Sequence, residues 1–213
     1  MAQDEFDSRV FINCPLDAQY KPIFEAIVFA VLDCGLDPSC ALEIDDASEV
    51  RIDKIFNIIA ECKYGIHDIS RTEAAPATGL PRFNMPLELG MFLAAKRFGV
   101  GKQKRKVCLI LDSTPYRYQQ FISDIAGQDI QIHNNSVGEA ITAVRNWLRN
   151  ATRLTALPGG NGNLPPVPTL RTRASGPLPG TQAATPGAYI QRRSFPHHRL
   201  ASREELMRGR RKM

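Results

Sequence analysis

The chain has 213 residues, 43% hydrophobic and 23% charged, enough for one full-sized domain and short of two. It contains no run of about 18 uninterrupted apolar residues, which excludes a membrane-spanning helix. The acidic opening, Met1 to Ser8, lacks the basic and apolar regions of a secretory signal. Five cysteines (Cys14, Cys34, Cys40, Cys62, Cys108) are odd in number and scattered without metal-pair spacing, so reduced, partly buried thiols in a cytoplasmic protein are expected.

The net charge of +5 averages two unlike parts. Residues 151–213 carry 11 Lys+Arg against 2 Asp+Glu, with 8 of the 15 prolines and 7 of the 15 glycines. Residues 1–150 carry 16 basic and 20 acidic side chains. The Pro/Gly-rich part has little apolar surface to offset chain entropy. The folded domain is therefore placed at 8–150 and a mostly disordered basic tail at 151–213, with a short helix possible from Ser202 to Arg208.

Within the domain, strand and helix patterns alternate. Arg9 to Asn13 is a short β-prone run stopped by Pro15. Pro22 to Asp33 places Ile23, Phe24, Ile27, Val28 and Val31 at helical spacing, and Gly35 ends it. Ser39 to Ile44 is a weaker second strand. Ser48 is a candidate cap for a helix with Arg51 at its third position and a stripe of Ile52, Ile55, Phe56, Ile59 and Cys62. Tyr64 to Ile69 reads as a third strand, and a loop rich in Ala, Pro and Gly leads to a helix from about Pro86 to Phe98. Lys102 to Lys106 reads as a solvated basic loop, open to contact with nucleic acid. Val107 to Leu111 is an unbroken apolar run of the kind expected at a sheet centre. Tyr116 to Ile125 looks helical, Ile130 to Ile132 is a short strand, and Val137 to Leu148 is a helix capped by Ser136.

Five strands alternating with five helices predict an α/β fold: a five-stranded parallel sheet with right-handed crossovers, in a flavodoxin-like three-layer sandwich. In such sheets function gathers beyond the carboxyl ends of the strands. That rule selects Asn13 to Asp17, Asp68 to Arg71, and the loop leading to Glu88. A carboxylate near a helix start is favoured by the helix dipole alone. In a cleft facing Asp68, Glu88 would instead form the carboxyl pair that glycoside cleavage uses. Asp68 and Ser70 also suit an ordinary turn, or Asp68 could hold ribose hydroxyls while Ser70 and Arg71 contact phosphate or base. Arg71 and Arg82 bracket the loop and could clamp an anion. Phe83 could stack on a base, and Asn84 could bond a sugar hydroxyl or cap the helix. His67, inside a strand, suits packing better than catalysis, and His133 ends the last strand at the same rim. Without a Walker loop, a spaced-glycine dinucleotide turn or Cys/His metal spacing, no cofactor and no metal are expected.

Ile66-His67-Asp68-Ile69-Ser70-Arg71, then a variable loop, then Leu87-Glu88-Leu89-Gly90, resembles the nucleoside 2-deoxyribosyltransferase superfamily. That superfamily includes nucleotide N-glycosidases and lies close to TIR-like NAD-cleaving domains. The opening Val10-Phe11-Ile12-Asn13-Cys14-Pro15-Leu16-Asp17 is similar to that of both groups. The resemblance implies that Glu88 attacks or stabilises C1′ of a sugar, that Asp68 helps hold sugar or base, and that Asn13, Cys14 and Pro15 shape the pocket. Phe83-Asn84-Met85-Pro86 is bulkier than the small residues often found there in the transferases. The implied substrate is a nucleoside, nucleotide or NAD-like molecule, and a homo-oligomer is plausible. A non-catalytic nucleotide-binding module of the same fold is the alternative, and the basic tail could engage nucleic acid or another polyanion.

Overall fold

The computed structural model describes residues 5–41, 50–73, 79 and 81–152. The Ser48 cap, the second half of the strand expected at 39–44, and the basic segment after Thr152 lie outside the described residues. The elements are α1 (Glu5–Ser8), β1 (Arg9–Asn13), α2 (Lys21–Asp33), β2 (Asp37–Ser39), α3 (Arg51–Glu61), β3 (Tyr64–Asp68), α4 (Asn84–Phe98), β4 (Val107–Asp112), β5 (Ile130–Ile132) and α5 (Val137–Thr152).

All strand pairs are parallel and the order is β2-β1-β3-β4-β5, the flavodoxin-like arrangement expected from the sequence. Helices α2 and α5 pack together on one face, and α3 and α4 on the other. The second face is filled by Phe11, Ile55, Ile58, Ile59, Cys62 and Phe92. None of the helices among the described residues is long and apolar enough to cross a membrane.

Several boundaries differ from expectation, each for a local reason. The central strand is β3, not the apolar run at 107–112, so the sheet's middle carries two polar residues, His67 and Asp68, both fully buried. Strand β2 is Asp37–Ser39, ending where the second strand was expected to begin. Helix α3 begins directly at Arg51 after an extended Val50. Residues 117–120 and 123–125 form two short 3-10 turns instead of one helix. Tyr116, at φ 60°, turns the chain away from helical continuation. Arg117 then pins the segment, donating to Asp112 Oδ1 from Nε at 2.9 Å and to Thr72 Oγ1 at 3.0 Å, and also to the carbonyl of Ile69.

The basic run expected as a solvated loop is a 3-10 helix over Gly101–Arg105, followed by a lysine that is 1% exposed. Lys106 reaches under the end of α3 and donates to the carbonyls of Ile59 and Cys62, satisfying acceptors that a helix end leaves open. Its ammonium also lies 4.5 Å from the centre of the Phe92 ring. Burial pulls its pKa down to about 8.

Gly65 explains how a histidine fits in the central strand. A Cβ at this position would lie 2.7 Å from His67 Nε2 and 2.8 Å from the Phe92 ring. His67 is thereby pressed edge-on between Phe11 and Phe92, with ring centroids at 5.7 Å and 5.0 Å. Burial and the nearby Lys106 lower its pKa to about 3, so it is a neutral packing residue. Gly65→Ala should therefore lower stability by about 1–3 kcal/mol through overpacking. Urea denaturation of the two proteins measures this, and an unchanged midpoint would show that the ring pair can move aside.

Candidate active site

A cavity of about 440 Å³ opens at the carboxyl ends of β1 and β2. Its wall includes Asn13, Cys14, Pro15 and Asp17 from the β1 exit, Cys40 and Ala41 from the β2 exit, Arg51 from α3, and Arg82, Asn84 and Glu88 around α4. Seven of the residues selected from the sequence thus meet at one place: Asn13, Cys14, Pro15, Asp17, Arg82, Asn84 and Glu88.

Glu88 is the fifth residue of α4, because that helix begins at Asn84 rather than Pro86. It therefore lies beyond the first turn, where the dipole effect fades, so the dipole does not account for its position. Glu88 is 7% exposed. Among the described residues no side chain donates a hydrogen bond to its carboxylate. Burial raises its pKa to about 7, against a smaller opposing pull from Arg51. Half-ionised at neutral pH, this carboxyl can carry negative charge or a proton.

The other wall residues have assignable work. Asn13 Nδ2 donates to Met85 O at 2.8 Å and lies 3.1 Å from His67 Nδ1, locking the β1 exit to β3 and to the first turn of α4. Asp17 Oδ1 accepts from the backbone N–H of Gln19 and Tyr20 at 3.1 Å and 3.0 Å, shaping the turn into α2. Its other oxygen lies 3.4 Å from Arg82 Nη1. The Cys14 thiol is pushed well above its ordinary pKa by burial, with the charges of Asp68, Cys40 and Glu88 adding to the effect. It remains a protonated, unreactive wall group.

Asp68 departs from the expectation of a facing carboxyl pair. It is fully buried and does not line the cavity. Its oxygens are already engaged: Oδ2 accepts from the Tyr20 hydroxyl, and Oδ1 accepts from the Ser70 N–H at 2.8 Å. His133 Nε2 lies 2.9 Å from Oδ2, and its Nδ1 accepts from the Asn135 N–H at 3.1 Å, which places the ring proton on the side of the carboxylate. Burial and Asp68 hold the Tyr20 hydroxyl far above its usual pKa, so it stays a donor. His133, expected at the rim, is likewise fully buried.

Ser70, Arg71 and Phe83 also stand outside the cavity wall. Ser70 is buried beside Asp68. Arg71 donates to Gln19 Oε1 at 3.1 Å and lies 3.8 Å from Asp17 Oδ1. Phe83 precedes α4 with 59% of its surface exposed. Sequence reasoning missed Arg51 and Cys40. The carboxyl-end rule would have selected both had the β2 boundary been legible, since Cys40 follows that strand directly.

Among the described residues no group of three or more His, Cys, Asp or Glu side chains is arranged to hold a metal ion. Compared with known protein families, with curated proteins and with solved structures, the chain matches none.

The two carboxyl groups should respond to neutralisation with opposite sign. Asp68→Asn breaks a saturated buried network and should cost about 2–4 kcal/mol. Glu88 is raised in the folded protein, which therefore binds the proton more tightly than the unfolded chain does. Its contribution is intact below its ordinary value of 4.5 and is lost as pH rises through about 7. Glu88→Gln should thus be near neutral at low pH and stabilising by about 2 kcal/mol above pH 7, with the mouth of the cavity screening part of the effect. Denaturation curves for both variants across that range would disprove the assignment if Glu88→Gln were destabilising at high pH.

Proposed function

We propose that the domain cleaves an N-glycosidic bond in a nucleotide-like substrate, with Glu88 as the catalytic group. The observation that carries this reading is a buried carboxyl, without a side-chain donor among the described residues, on the wall of a cavity at the strand ends. A group kept in that condition costs stability, as functional carboxyls commonly do. The resemblance of the Asp68–Arg71 and Leu87–Gly90 segments to nucleoside 2-deoxyribosyltransferases and nucleotide N-glycosidases supports the same chemistry.

The reaction passes through a cation-like state at C1′. The bond to the base breaks with its electron pair leaving on the base, which takes up a proton. Ionised Glu88 either bonds to C1′ or balances its charge. Water then adds to C1′, frees the carboxylate and releases a proton; a second base in place of water would make the enzyme a transferase. Asn84, on the same wall, would orient a sugar hydroxyl. Arg51 and Arg82 on the same wall suit an anionic substrate, which favours a nucleotide over a nucleoside. Asp68 acts through Tyr20 and the β1 exit, as a positioning residue.

The engagement of Asp68 favours one second reading, because it removes one member of the expected carboxyl pair from the cavity. On that reading the domain binds a nucleotide without turnover.

Base release from a panel of NAD, ribonucleotides, deoxynucleotides and nucleosides, followed by chromatography, separates the two. The enzyme reading expects release that Glu88→Gln lowers at least about a hundredfold. Because the ionised form acts, kcat/KM should climb with pH through about 7 and level off above it. Full activity in folded Glu88→Gln, or activity that declines over that range, would sink the assignment. Binding of a nucleotide by folded protein with no release would establish the second reading.

A further inference from the structure

The residues that precede β4 form a feature at the other end of the sheet. Helix α4 starts at the cavity and carries the chain about 15 Å from Glu88 to Phe98, at 1.5 Å per residue. There Phe98 and Val100 are 81% and 82% exposed, values that leave their side chains almost wholly in solvent. The tip that presents them is tightly built. A Cβ on Gly99 would lie 2.3 Å from Ala95 O and 2.7 Å from Gln103 Cβ, and Gly101 adopts φ 56°.

Cations surround this tip. Lys96 and Arg97 occupy the last turn of α4, and neither engages an acidic side chain among the described residues. Lys104 Nζ donates to Arg97 O at 2.6 Å, which folds the 3-10 turn back against the helix end and leaves two of its protons for other acceptors. Lys102 lies over the Phe6 ring at 5.0 Å, a contact that keeps its charge. Arg105 is excluded from this set, since its Nη1 donates to both carboxylate oxygens of Asp7 at 3.0 Å.

We propose that this strand-start end of the domain binds single-stranded nucleic acid, with Phe98 stacking on a base and Lys96, Arg97, Lys102 and Lys104 holding the flanking phosphates. An exposed aromatic ring set among cations that engage no acidic side chain among the described residues matches the repeat of a single strand, one base face between phosphates. A duplex hides its base faces and would leave the ring without a partner. Two isolated apolar side chains offer a bilayer little area to bury. Strand direction adds a second argument. In a parallel sheet each returning helix ends at the strand starts, so α5 delivers the chain at Thr152 to this same end. The sequence that continues from it carries 11 basic residues against 2 acidic ones. The site is separate from the Glu88 cavity and does not depend on its chemistry.

Fluorescence anisotropy of the full chain with labelled oligo(dT) and oligo(rU) tests this, against a duplex and against phosphatidylserine vesicles. Single strands should bind with an affinity that falls as salt rises. Phe98→Ala and Phe98→Leu should each weaken binding at least about fivefold, the loss of one stacked base, with the melting temperature unchanged. Lys102→Glu with Lys104→Glu should flatten the salt dependence. Binding by both Phe98 variants as tight as the wild type would overturn the proposal by assigning the affinity to residues 153–213. A preference for duplex or vesicles, or no binding to single strands, would overturn it as well.

Discussion

The central strand of a parallel sheet is shut off from water on both faces, so a carboxylate within it is costly unless its neighbours donate to it. Here that strand ends in Asp68, and the rest of the carboxyl-end architecture is arranged around its two oxygens. One draws in the Tyr20 hydroxyl from the start of α2 and faces His133 from the exit of β5; the other turns the chain after β3 through the Ser70 N–H. Three connections that are remote in sequence are therefore fixed to one another. The β1 exit, held between Asn13 and Tyr20, cannot shift without disturbing this cluster. The cavity wall owes its shape to that fixity.

Two acidic side chains in one small domain show how environment assigns roles. Asp68 is the more deeply buried, yet its oxygens accept from the Tyr20 hydroxyl and the Ser70 N–H. Glu88 retains slight exposure but has no donor among the described residues, and its pKa moves towards neutrality. Burial alone would have ranked them in the wrong order as reactive groups. What distinguishes a group available for chemistry is the shortage of compensation, since a saturated carboxylate has no capacity left for a substrate. The same contrast separates His67 from a catalytic histidine. Held between two rings and deprived of a charge partner, it has been made as apolar as an imidazole can be.

The sequence disclosed the layered architecture because hydrophobic period is a local property. Strand β1, helix α2, strand β3 and helix α5 each carry their pattern within a dozen or so residues. Strand order followed from the alternation itself. What escaped notice depends on partners far along the chain. Lys106 reads as one more cation in a basic run, and only the end of α3 shows why it is buried. Residues 117–125 have helical composition, but Arg117 bonds to the exits of β3 and β4 and holds them in two short turns. Asp68 was found by position and misread in orientation, because no local signal shows that Tyr20 and His133 converge on it. Arg51 and Cys40 were lost because the exit of β2, expected after Ile44, lies five residues earlier, after Ser39.

Parallel topology also sets the two ends of the domain apart. Strand exits gather the turns that enclose a cavity, and their acidic groups sit beside arginines in a partly enclosed space. Strand starts collect helix carboxyl ends, where cations are favoured by the dipole and by open carbonyls. Lys96 and Arg97 in the last turn of α4, Lys104 on the carbonyl of Arg97, and Lys106 under α3 are all instances of that preference. A basic surface opposite the cavity is thus partly a consequence of the fold. The exposed ring of Phe98 is not, since neither helix capping nor core packing calls for an aromatic side chain in solvent. It is this residue, and not the charge around it, that distinguishes a surface shaped for a partner from the ordinary electrostatics of helix ends.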